Sequence, residues 1–254
     1  MIIPLHLQKS NILMRKLLAL LCTLFILMTT HSQLWFDIGF KGGIGPGLIM
    51  NQNIWDDPDY NHRLTASNSY GGKFGLNFND EHEITFDFMI SNFHQDFLHN
   101  EYDSITTSSP LFKSNLSYGS FDYMLLYRHN KDGRYLEVGP SIQQIRSLVI
   151  NDEYRPSYTS NIEHVNQLQT NMIFGFGAYF MGTENFGITT GFRATYNISD
   201  MVSENGKTNN LPNLKTYPVY KPSHPLTLCF IMEANFDFAY IAKAQCSRRK
   251  LIFF

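Results

Sequence analysis

The stretch Leu226–Phe238, LTLCFIMEANFDF, decides how the rest of the chain is read. At a period of two, Leu226, Leu228, Phe230, Met232, Ala234, Phe236 and Phe238 share one face. Thr227, Cys229, Ile231, Glu233, Asn235 and Asp237 share the other. Side chains on a strand point alternately to opposite sides, so seven successive apolar alternates describe a strand with one apolar and one mostly polar face. A transmembrane strand needs roughly 9–11 residues, and this run is long enough. Lipid offers nothing to an unpaired backbone edge, so such a strand must belong to a sheet closed on itself.

Seven earlier runs repeat the pattern: Leu34–Lys41, Ser69–Phe78, Glu83–Ile90, Ser120–Arg128, Arg134–Val149, Phe174–Phe180 and Phe186–Asn197. Short turns at Asn79–His82, Asn130–Gly133 and Gly182–Asn185 alternate with long polar loops expected at Asn51–Asn68, Gln95–Leu111, Ile150–Asn166 and Ser199–Pro225. Asp132-Gly133 is a strong hairpin signal. Alternation drifts in phase within Arg134–Val149, which predicts a bulge near Pro140 or Gln143-Gln144. The glycine run Gly42, Gly43, Gly45 and Gly47 is followed by neither Lys-Ser/Thr nor a helical pattern, so it reads as a strand bending near a rim and not as a phosphate loop. An even strand number with short turns at one end and long loops at the other predicts an all-β fold, an eight-stranded antiparallel up-and-down transmembrane β-barrel over residues 33–240. Both termini then lie on the short-turn, periplasmic side, with the long loops extracellular.

Residues 1–32 are expected to be a cleaved signal peptide, with Met14 as an alternative start. Arg15 and Lys16 precede the apolar core Leu17–Met28, which is too short to span a bilayer, and Thr30-His31-Ser32 offers a cleavage site. Cys22 follows Leu21, where a lipoprotein cysteine would follow a small residue. Removing Lys9, Arg15, Lys16 and no acid leaves 17 basic against 22 acidic residues, which disfavours nucleic acid as a partner. Cys229 and Cys246 are expected as free thiols, and residues 241–254 as a C-terminal tail.

Periodicity alone does not say which face is outside. A soluble lipocalin-like barrel would hide its apolar face around an apolar ligand. Here the polar face carries Asp37, Lys41, Lys73, Asp87, Asp122, Arg128, Glu137, Arg193 and Glu233, both signs mixed with glycines. An eight-stranded barrel is just wide enough inside for side chains, so these charges are expected to pair across the lumen, with the glycines making room for Lys and Arg stems.

The opening Phe36-Asp37-Ile38-Gly39-Phe40-Lys41-Gly42-Gly43, the repeat Gly71-Gly72-Lys73-Phe74-Gly75-Leu76-Asn77-Phe78 and the segment Leu136–Ser141 resemble the outer-membrane β-barrel family common in Bacteroidetes, which includes PorT-like proteins. The resemblance covers the whole mature chain. It implies a Gram-negative outer-membrane location, contact with outer-membrane lipid and, for the PorT-like branch, an envelope or secretion protein partner. Barrel-assembly machinery commonly reads a last strand ending in alternate apolar or aromatic residues. Phe236, Phe238 and Phe254 are the candidates for that signal, with Glu233 standing where the pattern usually has glycine.

Candidate chemistry is sparse. Ser91, His94 and Asp96 are the nearest approach to a nucleophilic set, as a lipid-modifying enzyme would need. Asp56, Asp57 and Asp59 offer carboxylates to a divalent cation, but without the spacing of a calcium loop. The loop tyrosines Tyr60, Tyr102, Tyr154, Tyr158, Tyr217 and Tyr220 suit either recognition or loop packing. No cofactor is called for. The reading is a non-enzymatic outer-membrane barrel acting as an envelope anchor, surface-contact protein or secretion accessory.

Overall fold

A computed structural model describes residues 34–78, 81–100, 110–183, 185–243 and 249–253. Its strands are β1 (Leu34–Met50), β2 (Tyr60–Arg63), β3 (Thr65–Phe78), β4 (His82–Asn100), β5 (Leu111–Lys131), β6 (Arg134–Asp152), β7 (Leu168–Gly182), β8 (Phe186–Asn197), β9 (His224–Lys243) and β10 (Arg249–Phe253). Each of β1 and β3 to β9 pairs antiparallel with the next, and β1 pairs with β9, so eight strands close a ring. The last strand meets the first from Leu34 opposite Ile241 to Met50 opposite His224. The fold is an eight-stranded up-and-down transmembrane β-barrel.

Its polarity is inside-out. Ile38, Phe40, Phe86, Leu125, Phe174 and Phe192 point outward and are exposed, while Lys41, Asp87, Arg128 and Glu233 point inward and are buried. Tyr127 lies in this belt toward the short-turn rim, with Tyr70 and Tyr196 toward the other rim. The soluble cup reading, with its apolar face inside, is thereby corrected. The Asp132-Gly133 turn is as tight as its sequence demands: both residues have positive φ (51° and 72°), and Lys131 pairs with Arg134 across it.

Four expectations about the elements change. The strands run past their expected ends: β4 reaches Asn100 and β6 Asp152, inside the expected loops, and β5 starts at Leu111, ahead of the run expected from Ser120. Within the expected loop at Asn51–Asn68 lie a helix α1 (Gln52–Trp55), whose first turn is capped by the Asn51 side chain, and β2, which pairs with β4. The bulge in β6 falls at Arg146, beyond Gln144: Gly119 faces Ser147 and Ser120 faces Ile145, so Arg146 and Ser147 are successively exposed. Finally, residues expected as a tail from position 241 continue β9 and then return as β10, which pairs with β9 from Lys243 to Ala239.

Above the apolar belt the polarity of the wall reverses. On β4, Phe93 and Phe97 turn inward while Asn92, His94 and Asp96 face out; on β5, Leu116 and Tyr118 are buried inside. The long-loop half is therefore built like a soluble domain. Its core joins Ile49, Phe93, Phe97, Leu116, Tyr118 and Ile150 to the loop residues Ile54, Val165, Met201, Val202, Leu211 and Leu214. The 3-10 turn Ile162–His164 and a helix α2 (Glu204–Thr208), capped by Ser203, cover it.

Candidate functional site: the charged lumen and the loop cap

Below that cap, the inward residues of the short-turn half form one ion-pair cluster. Period-two alternation delivers Asp37 and Lys41 from β1, Lys73 from β3, Glu83 and Asp87 from β4, and Arg128 from β5. Glu137 comes from β6, Arg193 from β8 and Glu233 from β9. Arg128 donates to both oxygens of Glu233 (2.9 and 2.8 Å) and to Glu137 (2.9 Å), and its guanidinium lies 4.2 Å from the Tyr135 ring centre. Arg193 donates from Nε to Glu137 (2.7 Å) and from Nη2 to Asp87 (3.2 Å). Lys41 bridges Asp87 (2.6 Å) and Glu233 (3.0 Å). Lys73 reaches Glu233 (3.0 Å), Asp37 (3.1 Å) and Glu83.

Eight of the nine residues singled out in the sequence thus meet in one place, joined by Glu83, which was passed over. Glu83 had the same signal as Asp87, four residues along the same face. Asp122 stands apart. Its carboxylate accepts from Ser91 (2.5 Å) and Ser120 (2.9 Å), and no Lys or Arg pairs with it among the described residues. It lines a cavity of about 50 Å³ between the charged layer and the apolar core, together with Gln143, Asn171, Arg193 and Asn197. Glu233 accepts three cations, which explains a glutamate in the last strand where glycine is usual. Two glycines make room for acids and none for Lys or Arg stems: a Cβ at Gly75 would sit 2.5 Å from the Asp37 carboxylate, and one at Gly175 2.6 Å from Glu137.

The candidate catalytic set comes apart. Ser91 points inward to Asp122, while His94 lies on the opposite face of the same strand and Asp96 is engaged by Asn115 (2.6 Å) and Lys113 (3.1 Å). No nucleophile–base contact is available to these three, which corrects that reading. The acidic loop is likewise occupied from within the chain. Lys215 bridges Asp57 (2.7 Å) and Asp59 (3.1 Å), and Tyr217 donates to Asp57 (2.8 Å). Burial alone would raise the Asp57 carboxyl, but these bonds outweigh it and hold it below the usual carboxylate range.

The loop tyrosines pack within the cap. Tyr60 is buried and donates to the Asn213 carbonyl (3.0 Å), Tyr158 bonds the His164 ring (2.7 Å), and Tyr220 donates to Asp200 (2.7 Å). Tyr154 is exposed against Phe112. Phe236 lies outside the wall with its ring tilted against that of Phe186 at 4.8 Å, and Phe238 packs near Phe36 and Phe74. Cys229 is a buried free thiol. The signal segment, Tyr102, Cys246 and Phe254 lie outside the described residues.

The chain is similar in structure to outer-membrane proteins at low identity. The outer membrane protein OprG from Pseudomonas aeruginosa matches at 10% identity and a TM-score of 0.43, over 82% of this chain and 96% of that one. Neisserial surface protein A matches at 10% and 0.35 (78% and 95%), and Ail, the attachment invasion locus protein of Yersinia pestis, at 10% and 0.32 (81% and 99%). No family model and no curated protein matches the sequence.

Proposed function

We propose that the chain is a non-enzymatic outer-membrane barrel that presents its folded loop cap at the cell surface, with its short turns and both termini in the periplasm. The observation that carries this reading is the reversal of polarity along one continuous wall. The short-turn half is apolar outside and charged inside, as lipid requires; the long-loop half is polar outside and apolar inside, as water requires. A wall built this way suits a chain half embedded in a bilayer and half standing above it. The partners this needs are outer-membrane lipid and, during biogenesis, the assembly machinery, with Phe236 and Phe238 as candidate signals on the closing strand. An envelope or secretion partner would meet the cap, where the exposed residues are. Filling of the lumen by charged side chains and an apolar plug favours anchoring and surface contact over transport.

A carbonate-washed outer-membrane fraction run on gels with and without boiling tests this. The protein should stay in the membrane and shift in mobility on boiling. Release by carbonate with unchanged mobility would overturn the reading.

A further inference from the structure

We infer that the outside of the barrel carries a seat for an anionic phospholipid at the short-turn rim, where the β5–β6 hairpin adjoins β7. The inference rests on the membrane reading above and adds a particular ligand and place.

A groove of about 590 Å³ runs there, lined by His129, Lys131, Arg134, Leu136 and Phe176, with Asp132 at the turn. The register explains its layout. Lys131 stands directly across from Arg134, His129 across from Leu136, and Leu136 across from Phe176. Directly opposed positions on one face of an antiparallel pair have Cβ atoms about 4.5–5.5 Å apart, so the cations form one row at the rim and the apolar groups the next row toward mid-membrane. The following row, Val138 across from Phe174, continues the apolar track.

The cations are uncommitted. Every lysine and arginine of the lumen holds a carboxylate, yet among the described residues neither Lys131 nor Arg134 pairs with one. His129 stands beside them on the outward face, its Nδ1 buried. Its ring lies 5.3 Å from that of His82, which bonds Tyr127 (2.7 Å), so the neighbouring imidazole is already positioned. An ammonium and a guanidinium fork above an apolar strip match a phosphodiester with an acyl chain running down the wall. Lys131, Asp132 and Arg134 together give the hairpin tip a net charge of +1, which favours a glycerol headgroup over one bearing its own ammonium. Under the proposed orientation this rim meets the inner, phospholipid leaflet.

The test is native mass spectrometry of the full-length protein in detergent, titrated with phosphatidylglycerol or with phosphatidylcholine of the same chains. Phosphatidylglycerol adducts should exceed phosphatidylcholine adducts several-fold. Lys131→Gln with Arg134→Gln should bring the two lipids level, while Arg146→Gln, at a position nearer the other rim whose arginine pairs with no carboxylate among the described residues, should leave the preference intact. Phe176→Ala should weaken both lipids alike. Equal adducts on the unaltered protein, or a preference that survives the double substitution, would overturn the seat. Each variant is first checked for its mobility shift on boiling. Absence of that shift in the unaltered protein would instead count against the membrane reading itself.

Discussion

At the scale of single residues, the lumen contrasts two kinds of buried charge. Arg128 serves Glu137, Glu233 and, at 3.5 Å, Glu83, so Arg128→Leu would leave buried carboxylates short of a cation. Breaking a buried pair by removing one partner costs about 3–5 kcal/mol, and urea unfolding of the reconstituted protein should register a loss of that order. Among the described residues Asp122 has hydroxyl donors and no cation partner, so Asp122→Asn keeps an acceptor for the serines and removes a charge that none of them neutralises. Its unfolding free energy should stay within about 1 kcal/mol of the parent, because the amide keeps an acceptor for the serines while the charge is lost. A loss equal to that of Arg128→Leu would show that Asp122 belongs energetically to the cluster. The alternation made all these positions legible as inward, and mixed signs made pairing the natural expectation. Which acid meets which base was not legible, because it depends on stagger between strands far apart in sequence, such as the 105 residues separating Arg128 from Glu233.

At the scale of elements, the short-turn half was legible and the long-loop half was not, for a physical reason. Strand ends were expected where greasy outward residues stop, as at Ile90 on β4. The strand continues, but with its faces exchanged: Phe93 and Phe97 now point inward and polar residues outward. A period-two pattern that changes sign midway looks like the onset of a loop. The cap's own elements are short and held by side chains from distant loops, which no local pattern announces. The strap between Lys215 and the Asp57–Asp59 loop is one of these, and it carries a pH dependence. A carboxyl whose folded value is depressed contributes stability above its unfolded value, about 3.9, and loses it as pH falls through the folded value. Lys215, raised by Asp57 and Asp59 against the opposing effect of burial, contributes until pH rises past its own elevated value. The cap should therefore hold between those limits and loosen below about pH 4, the ordinary carboxylate range. Trp55, two residues from Asp57, gives the readout in its fluorescence. The Asp57→Asn variant should lack the acid transition; an unchanged transition would assign it to another group.

At the scale of the whole molecule, the interior is blocked twice by different physics. Near the short-turn end, four cations and five carboxylates occupy the cross-section. Above them, Phe93 stacked on Tyr118 at 4.8 Å, with Phe97 and Leu116, forms an apolar plug continuous with the loop cap. What space remains between is a cavity of about 50 Å³, room for a few waters and no wider path. An ion crossing would have to displace bonded charges and then enter an apolar core, and the second step alone is prohibitive because an unpaired charge in such surroundings costs several kcal/mol. The two layers do not share residues, so removing one leaves the other in place. Purified protein in a planar bilayer should give no current steps above background, and Arg128→Ala should remain equally silent while losing stability. Steps in the unaltered protein would mean that plug and cluster part together, and would turn an anchored barrel into a channel. Silence in both would assign the buried charges to holding eight strands in register around a closed interior, leaving the cap as the surface that meets other molecules.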